Sequence, residues 1–505
     1  MKKVGFLFGA GAELSYGMPS GGKFALDIFR EKVDDAKQDF REMRAKIVDS
    51  TAYATNWLPK DYKTRNIQSY GKKVLDMIIK DTVRNNRDKI ISSINSLENF
   101  SDRLIKDMKF GDEFGKSAMK KLVLKELGKN YNDINVVHEL SYNNLFKNGN
   151  ALFENKIFAV LIFYYNSFEG FSNPKDKELL GKLILAIMQL QIGALSENIT
   201  RETGDSVLSK QELPLDIFDE LGGSLKVDYE TAGVEGLRTL SEIELEDNQH
   251  PIVKLAYKMV EDIYANVLDY KTLIDSNWRY LYNPKKEWGK FTKIVVFLYT
   301  VQRYIKRNAA NLSEDRGGYY NELVELRKLK KVDITTIATT NYSPFIGEVL
   351  GDVVYLNGGT AIYYDPYMNK IIDVKEDINK EDYHILVPLI FTQSGTKPMT
   401  SVSMLLKYAE FYKKLKNSDY ICVIGFGFNL DDEHINGILR TLIDEDNKTL
   451  VVIDVDNGEE STTREESLAR KLRVTKEENI KYIIVSSDRK GDNKMWYELL
   501  IDMID

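Results

Sequence analysis

The residues best suited to chemistry sit where short apolar runs stop. Residues 3–8 run into Gly9-Ala10-Gly11-Ala12-Glu13-Leu14-Ser15-Tyr16-Gly17-Met18-Pro19-Ser20-Gly21. A strand entering such a stretch and a helical pattern leaving it suit a phosphate. The glycines let the backbone approach an anion, and the amino end of a helix offers N–H groups with no partner of their own. Four later runs end in the same way. Residues 334–338 lead into Thr339-Thr340-Asn341 and 353–356 into Asn357-Gly358-Gly359. Residues 420–424 lead into Gly425-Phe426-Gly427, and 450–455 into Asp456-Asn457-Gly458. The segment Phe391-Thr392-Gln393-Ser394-Gly395-Thr396-Lys397-Pro398 follows a further apolar run, 385–391. Its lysine either meets a pyrophosphate or sits solvated on a crossing loop.

Short apolar runs followed by small or polar residues are what parallel strands buried on both faces look like, with binding loops at their carboxyl ends. Helical spacing lies between some of them, at 401–415 and 434–443. The alternation predicts an α/β fold with a Rossmann-like, doubly wound parallel sheet. Residues 31–330 lack this rhythm. Their apolar residues fall at helical spacing, as in Leu75, Ile78, Ile79 and Val83, or Phe158, Leu161, Ile162 and Tyr165. The stretch 197–250 is more polar and carries Gly204, Gly222, Gly223 and Gly233, as long loops do. The expectation is one discontinuous sheet domain, 1–30 plus 331–505, interrupted by a large all-helical insertion, 31–330, for regulation or assembly.

Composition narrows the function. The chain has 505 residues, 70 Lys plus Arg against 77 Asp plus Glu, four His and a single cysteine, Cys422. One cysteine excludes a disulfide framework and any zinc site of several cysteines, and it fits a reducing cytoplasm. A net charge of −7 argues against coating nucleic acid by bulk charge. The apolar run 179–195 is interrupted by Lys182, Gln189 and Gln191, so it reads as a core helix and not a membrane span. The start of the chain imitates a signal peptide, but Glu13 and the glycines break it early.

Taken together, the loops resemble the sirtuin signature. The stretch from Gly9 to Gly21 is similar to the family's GAG-A-S string followed by S-G-I-P, with Glu13 in place of the first serine and Ser15, Gly17 and Pro19 keeping the pattern. Thr339-Thr340-Asn341-Tyr342 has the form typical of sirtuin-like proteins of bacterial antiphage defence. Gly425-Phe426-Gly427-Phe428-Asn429, followed by Asp431-Asp432-Glu433-His434, looks like the late motif of that branch. The resemblance covers about 205 residues, 1–30 and 331–505, and implies that NAD is bound across the carboxyl edge of the sheet.

It implies that Gly9, Ala10, Gly11, Glu13, Ser15, Pro19, Thr340, Gly425, Gly427, Asn429, Asp454 and Asp456 bind NAD, the two aspartates at the adenosine ribose. Asn341 would hold the other ribose and position the nucleophile. Asn357 stands where sirtuins have a histidine base, and an amide takes no proton at neutral pH. Hydrolysis by a positioned water tolerates that loss, with Asn357 acting by orientation alone, or else His384 or Glu13 substitutes as base; His434 orients its loop or touches ligand. His138 and His250, within the insertion, are expected to be structural. The aromatics of Tyr363-Tyr364-Asp365-Pro366-Tyr367 either wall a nicotinamide pocket or belong to a surface hairpin. The expected activity is NAD glycohydrolysis, with NAD as substrate and no metal, in a cytoplasmic antiphage system that acts by NAD depletion. The expected partners are a nucleotide-sensing or ATPase subunit, a homo-oligomer, or both, with no membrane and no nucleic acid. The alternative is a degenerate sensor that binds NAD or ADP-ribose without turnover. Protein deacylation is disfavoured by Asn357 and by the missing four-cysteine zinc module.

Overall fold

Six parallel strands carry the architecture in a computed structural model of the chain. The residues it describes are 1–70, 85–106, 108–135, 152, 154–203, 234–243, 245–246, 248–268, 278–373, 383–390, 400–456 and 458–505. The strands are β1 (Lys2–Phe8), β2 (Val332–Thr339), β3 (Val354–Tyr355) and, after a small second sheet of β4 (Ile362–Asp365), β5 (Lys370–Asp373) and β6 (Val387–Pro388), β7 (Tyr420–Ile424), β8 (Thr449–Val455) and β9 (Ile480–Val485). Their order in the large sheet is β9-β8-β7-β1-β2-β3. Numbered by appearance, that is the doubly wound 3-2-1-4-5-6 order, Rossmann-like, with its switch point between β1 and β7.

Burial explains why these segments are strands. Val4, Phe6, Leu7 and Phe8 are all fully buried, because helices cover both faces of the sheet. Phe6 and Phe8 face Trp496 and Tyr320, at ring-centroid distances of 6.3 and 5.2 Å, beneath helices Trp496–Ile504 and Tyr319–Leu329. Helix Val402–Lys416 lies against the sheet with Leu415 close to Gly5.

The register positions the loops. Phe8 is level with Thr339 on one side and Ile424 on the other, Thr339 with Tyr355, and Ile424 with Ile453. Gly9, Thr340, Leu356 and Gly425 therefore leave four neighbouring strands in one row, level with Asp454 near the end of β8. At the switch point the two glycine loops touch backbone to backbone. Gly9 N–H donates to Ile424 O and Gly11 N–H to Gly425 O, both at 2.9 Å.

Two expectations change. Among its described residues the run at 385–391 is a strand only at Val387–Pro388, antiparallel to β4, with Leu389 N–H donating on to Ile362 O at 2.9 Å; Phe391 to Lys397 lie outside the described residues. The compact units also depart from the 1–30, 31–330 and 331–505 segments. One unit comprises Met1–Ser20, Glu31–Tyr70 and Lys271–Asp505, the other Gly21–Arg30 and Gly71–Tyr270. Helix Gly21–Arg30 joins helix Pro251–Val267, where Lys23 and Arg30 both reach Glu261 Oε1, at 2.8 and 2.7 Å. Helices Asp34–Lys46 and Pro284–Ala309 join the sheet unit: Arg303 pairs with Asp39, Gln302 donates to Thr360 O, and Tyr299 donates to Leu386 O.

Among its described residues the second unit is mostly but not entirely helical, since Lys109–Phe110 and Glu113–Phe114 form a hairpin. Its helix Pro174–Thr203 buries Leu180, Leu183, Ile184, Ile187 and Leu190 completely, as a core helix does. Among the described residues no helix is long and apolar enough to cross a membrane.

The loop contact generates a test. Gly425 has φ +66°, and a Cβ there would stand 2.2 Å from Ala12 N. Gly425→Ala should cost at least about 2 kcal/mol, from left-handed strain plus a clash with backbone that has nowhere to move. An unchanged urea midpoint would show that the loops do not pack this closely in solution.

Candidate functional site

The glycine loop does not open an α-helix. Residues Ala10–Tyr16 form a 3-10 helix closed by Gly17 at φ 105°. Three of the N–H groups expected to be free are spent on the protein: Gly9 and Gly11 on the β7 side, and Ala12 on Gly9 O at 3.0 Å. Close packing of the two loops consumes the donors that a phosphate would need. Ser15 Oγ is buried and takes no hydrogen bond among the described residues. Pro19 is half-buried and Ala10 is exposed.

Beneath this loop the structure brings together groups that are far apart in sequence. Thr340 N–H continues the sheet ladder to Phe8 O at 3.0 Å. Asn341 follows, with its own N–H donating to Thr339 Oγ1 at 3.0 Å. Its Nδ2 donates to Gly9 O and to the Tyr320 hydroxyl, each at 3.2 Å. Tyr320 in turn donates to Glu13 Oε1 at 3.1 Å. Asn341 is 6% exposed and Glu13 only 2%.

Burial raises the Glu13 pKa to about 7, although hydrogen bonds from Tyr320 and Asn341 pull the other way. Burial, and then the charge of Glu13, push the Tyr320 phenol well above its ordinary range. Tyr16 locks the arrangement. Its hydroxyl accepts from Tyr320 N–H at 2.9 Å and donates to Asn321 Oδ1 at 2.8 Å, holding the start of helix Tyr319–Leu329. Sequence reasoning missed Tyr320. Its only signal was the stripe Tyr319, Tyr320, Leu323 and Leu326 at helical spacing just before β2.

Asn357 occupies the same level as Asn341, one strand further out. It is buried, and its Oδ1 accepts from the Tyr408 hydroxyl at 3.2 Å. The His434 ring stands edge-on to Tyr408 at 5.4 Å. His384 belongs to a different group. Its Nδ1 lies 2.6 Å from Asp365 Oδ2, and its ring stacks on Tyr53 at 4.0 Å and meets Tyr367 edge-on. None of these contacts involves Asn341, Asn357 or a glycine loop; they fasten the small sheet to residues 31–70.

The tyrosines once open to either reading take part in packing. Tyr363 accepts from Gln302, and the buried Tyr364 shares a hydrogen bond with Tyr282. His250 caps helix Pro251–Val267 through Nδ1 and meets Glu126 through Nε2 at 3.1 Å, a structural role. His138 lies outside the described residues.

On the far side of the switch point, Asp454 and Asp456 are exposed at the end of β8. Arg464, itself buried, donates to Asp454 Oδ2 at 2.7 Å and approaches Asp456 at 4.0 Å. Gly427 O accepts from Lys471 at 2.7 Å, and Asn429 O from Asn436 at 3.0 Å, so the β7 loop is tied down by side chains from two helices. Among the described residues no group of His, Cys, Asp and Glu could hold a metal ion. No protein-family model matches the chain, and no curated protein matches it.

The raised Glu13 pKa makes stability depend on pH. Between pH 4.5 and about 7 the folded chain binds the Glu13 proton more tightly than the unfolded one. Stability therefore falls as pH rises through that window and levels off above it. Glu13→Gln removes this penalty. The variant should exceed the wild type by on the order of 3 kcal/mol at about pH 8, and the gap should close towards about pH 4. Denaturation at both pH values reads the effect, and a gap independent of pH would refute it.

Proposed function

We propose that the chain is a sirtuin-like NAD glycohydrolase that converts NAD and water to ADP-ribose, nicotinamide and a proton. The observation that carries this reading is the pair of buried amides, Asn341 and Asn357, after β2 and β3, the first and second strands out from β1 on one side of the switch point of a doubly wound sheet. Dinucleotides lie across that crevice in such folds. The amides would lie at the nicotinamide ribose and the exposed Asp454 and Asp456 at the adenosine ribose, on opposite sides of β1.

In this reaction the bond between C1′ and the nicotinamide nitrogen breaks, and its electron pair leaves with nicotinamide. Positive charge spreads over C1′ and the ring oxygen, and water then adds to C1′ and loses a proton to solvent. The site must hold the ribose, orient the water and stabilise charge that exists only in transit. Asn341 suits the task because both hydrogens of its Nδ2 are committed to Gly9 O and Tyr320. What it can offer a ligand is the acceptor Oδ1, for a ribose hydroxyl or a water. Tyr408 fixes the opposite sense in Asn357, where Oδ1 is committed and Nδ2 remains. The two amides thus present an acceptor and a donor, neither of which titrates. So reactive a cation needs an oriented water more than a strong base.

An enzyme that consumes NAD must be silent in a healthy cytoplasm. In this reading the second unit receives the control, from a nucleotide-sensing or ATPase partner, from self-assembly, or from both, in antiphage defence. The alternative, an NAD or ADP-ribose sensor without turnover, is favoured by one observation: Asn357 stands where a base would be, and His384 is held elsewhere.

Nicotinamide release from NAD decides between them. Asn341→Ala should lower it by on the order of a hundredfold, the scale of losing a transition-state hydrogen bond. The stability cost should be only about 1–2 kcal/mol, from the lost bonds to Gly9 and Tyr320. A variant within a few-fold of wild type would remove Asn341 from the mechanism. ADP-ribose binding without nicotinamide release would establish the sensor.

A further inference from the structure

We propose that Glu13 is a positioning residue of this site: its carboxylate, acting through Tyr320, holds the Asn341 amide with Oδ1 turned towards ribose and water. The inference rests on the reading above and deepens it, since it assigns the site its control by protons.

The geometry is a directed chain. Tyr320 has one hydroxyl proton, and it points at Glu13 Oε1. The phenol oxygen must therefore accept from Asn341, which it does at 3.2 Å. With Gly9 O taking the second Nδ2 hydrogen, the amide has a single orientation. An ionised Glu13 only accepts, so it enforces this direction. A protonated Glu13 carries a hydrogen of its own and competes for the phenol oxygen, and the amide then loses its fixed partner.

Among the described residues, the titratable groups that interact with Glu13 are tyrosines. Tyr16 is on its own 3-10 helix, with its hydroxyl committed to Asn321 and Tyr320. Tyr320 is on helix Tyr319–Leu329. Tyr355, on β3, feels the Glu13 charge from further away, and its phenol is raised to about 12, chiefly by burial. The ionisation of Glu13 itself is set by burial, Tyr320 and Asn341, with no cation among its causes. A proton that titrates here near neutrality belongs to the carboxylate, because the phenols remain neutral. Burying a carboxylate without a cation is costly, and such groups cluster at functional sites.

The experiment is nicotinamide release by the full chain across roughly pH 5–9, spanning the reference range of histidine and a raised carboxyl. Wild type, Glu13→Gln, Glu13→Asp and Tyr320→Phe are compared, with kcat and KM read separately. ADP-ribose binding by calorimetry over the same range runs beside it. The wild-type kcat should fall on the acid side with a midpoint near 7. Glu13→Gln should abolish that limb and lower the plateau at least about tenfold, with KM changed less than about threefold, since misdirecting one group costs rate more than binding. Glu13→Asp should restore a limb, and Tyr320→Phe should lose it.

A limb that survives Glu13→Gln, or that disappears in His384→Gln, overturns the inference and leaves NAD hydrolysis standing. If nicotinamide is never released, hydrolysis falls. Glu13 is then judged by ADP-ribose: proton-linked affinity present in wild type and absent in Glu13→Gln sustains it, and equal linkage or no binding overturns it.

Discussion

With Gly9 and Gly11 on one side and Gly425 on the other, the loops after β1 and β7 meet with no side chain between them. That contact fixes the carboxyl edge of the sheet. It keeps the two central strands ending level, with the 3-10 helix Ala10–Tyr16 that carries Glu13 following at once. It also brings Gly9 O within reach of Asn341. A side chain at any of these glycines would separate the loops and, with them, the groups that depend on their spacing. The same contact has a chemical consequence. N–H groups bonded to a neighbouring strand's loop are not available to an anion, so a dinucleotide, if held here as proposed, would rely on side chains and on other backbone groups of the loop. Ser15, whose buried Oγ has no hydrogen bond among the described residues, is one such side chain.

The second constraint is the burial of polar groups that follows from that closure. Glu13, Asn341 and Asn357 are all buried. A buried polar group without partners costs free energy, and each of these is held in a short hydrogen-bond chain. Such chains have direction, because a hydroxyl has one proton to give. Tyr320 and Tyr408 therefore set which atom of each amide stays uncommitted. The protein makes an acceptor of one asparagine and a donor of the other by choosing the tyrosine beside it.

Much of the sheet was legible because buried parallel strands are continuous apolar runs. Residues 3–8, 420–424 and 450–455 fall within one residue of β1, β7 and β8. Polar punctuation fixed where those runs stop, and so which residues stand at the edge. The partners were not legible. Glu13 and Tyr320 are 307 positions apart, and nothing local in either marks the other. The unit boundaries were hidden for a related reason. Helical spacing says that a segment has an apolar face but not which core that face joins. Helix Gly21–Arg30 directly follows the glycine loop in sequence, and only its ion pairs with Glu261 show that it belongs with the helical unit. The 3-10 form of Ala10–Tyr16 also escaped the reading, since its residues are equally compatible with an α-helical turn.

The replacement of an expected histidine by Asn357 is best understood through what each group can do. An imidazole at a strand end takes a proton directly and switches charge near neutrality. An amide does neither, so a site built on two amides has no local proton sensitivity. A buried carboxylate returns that sensitivity at one remove. Glu13 lies too deep to meet bulk water, yet its burial brings its ionisation into the range that an imidazole would have occupied. Its charge reaches the edge through its hydrogen bonds with Tyr320 and Asn341, as a preference for one direction of hydrogen bonding. On the proposed reading, proton control and substrate contact, which one histidine would combine, would be divided between Glu13 and Asn341.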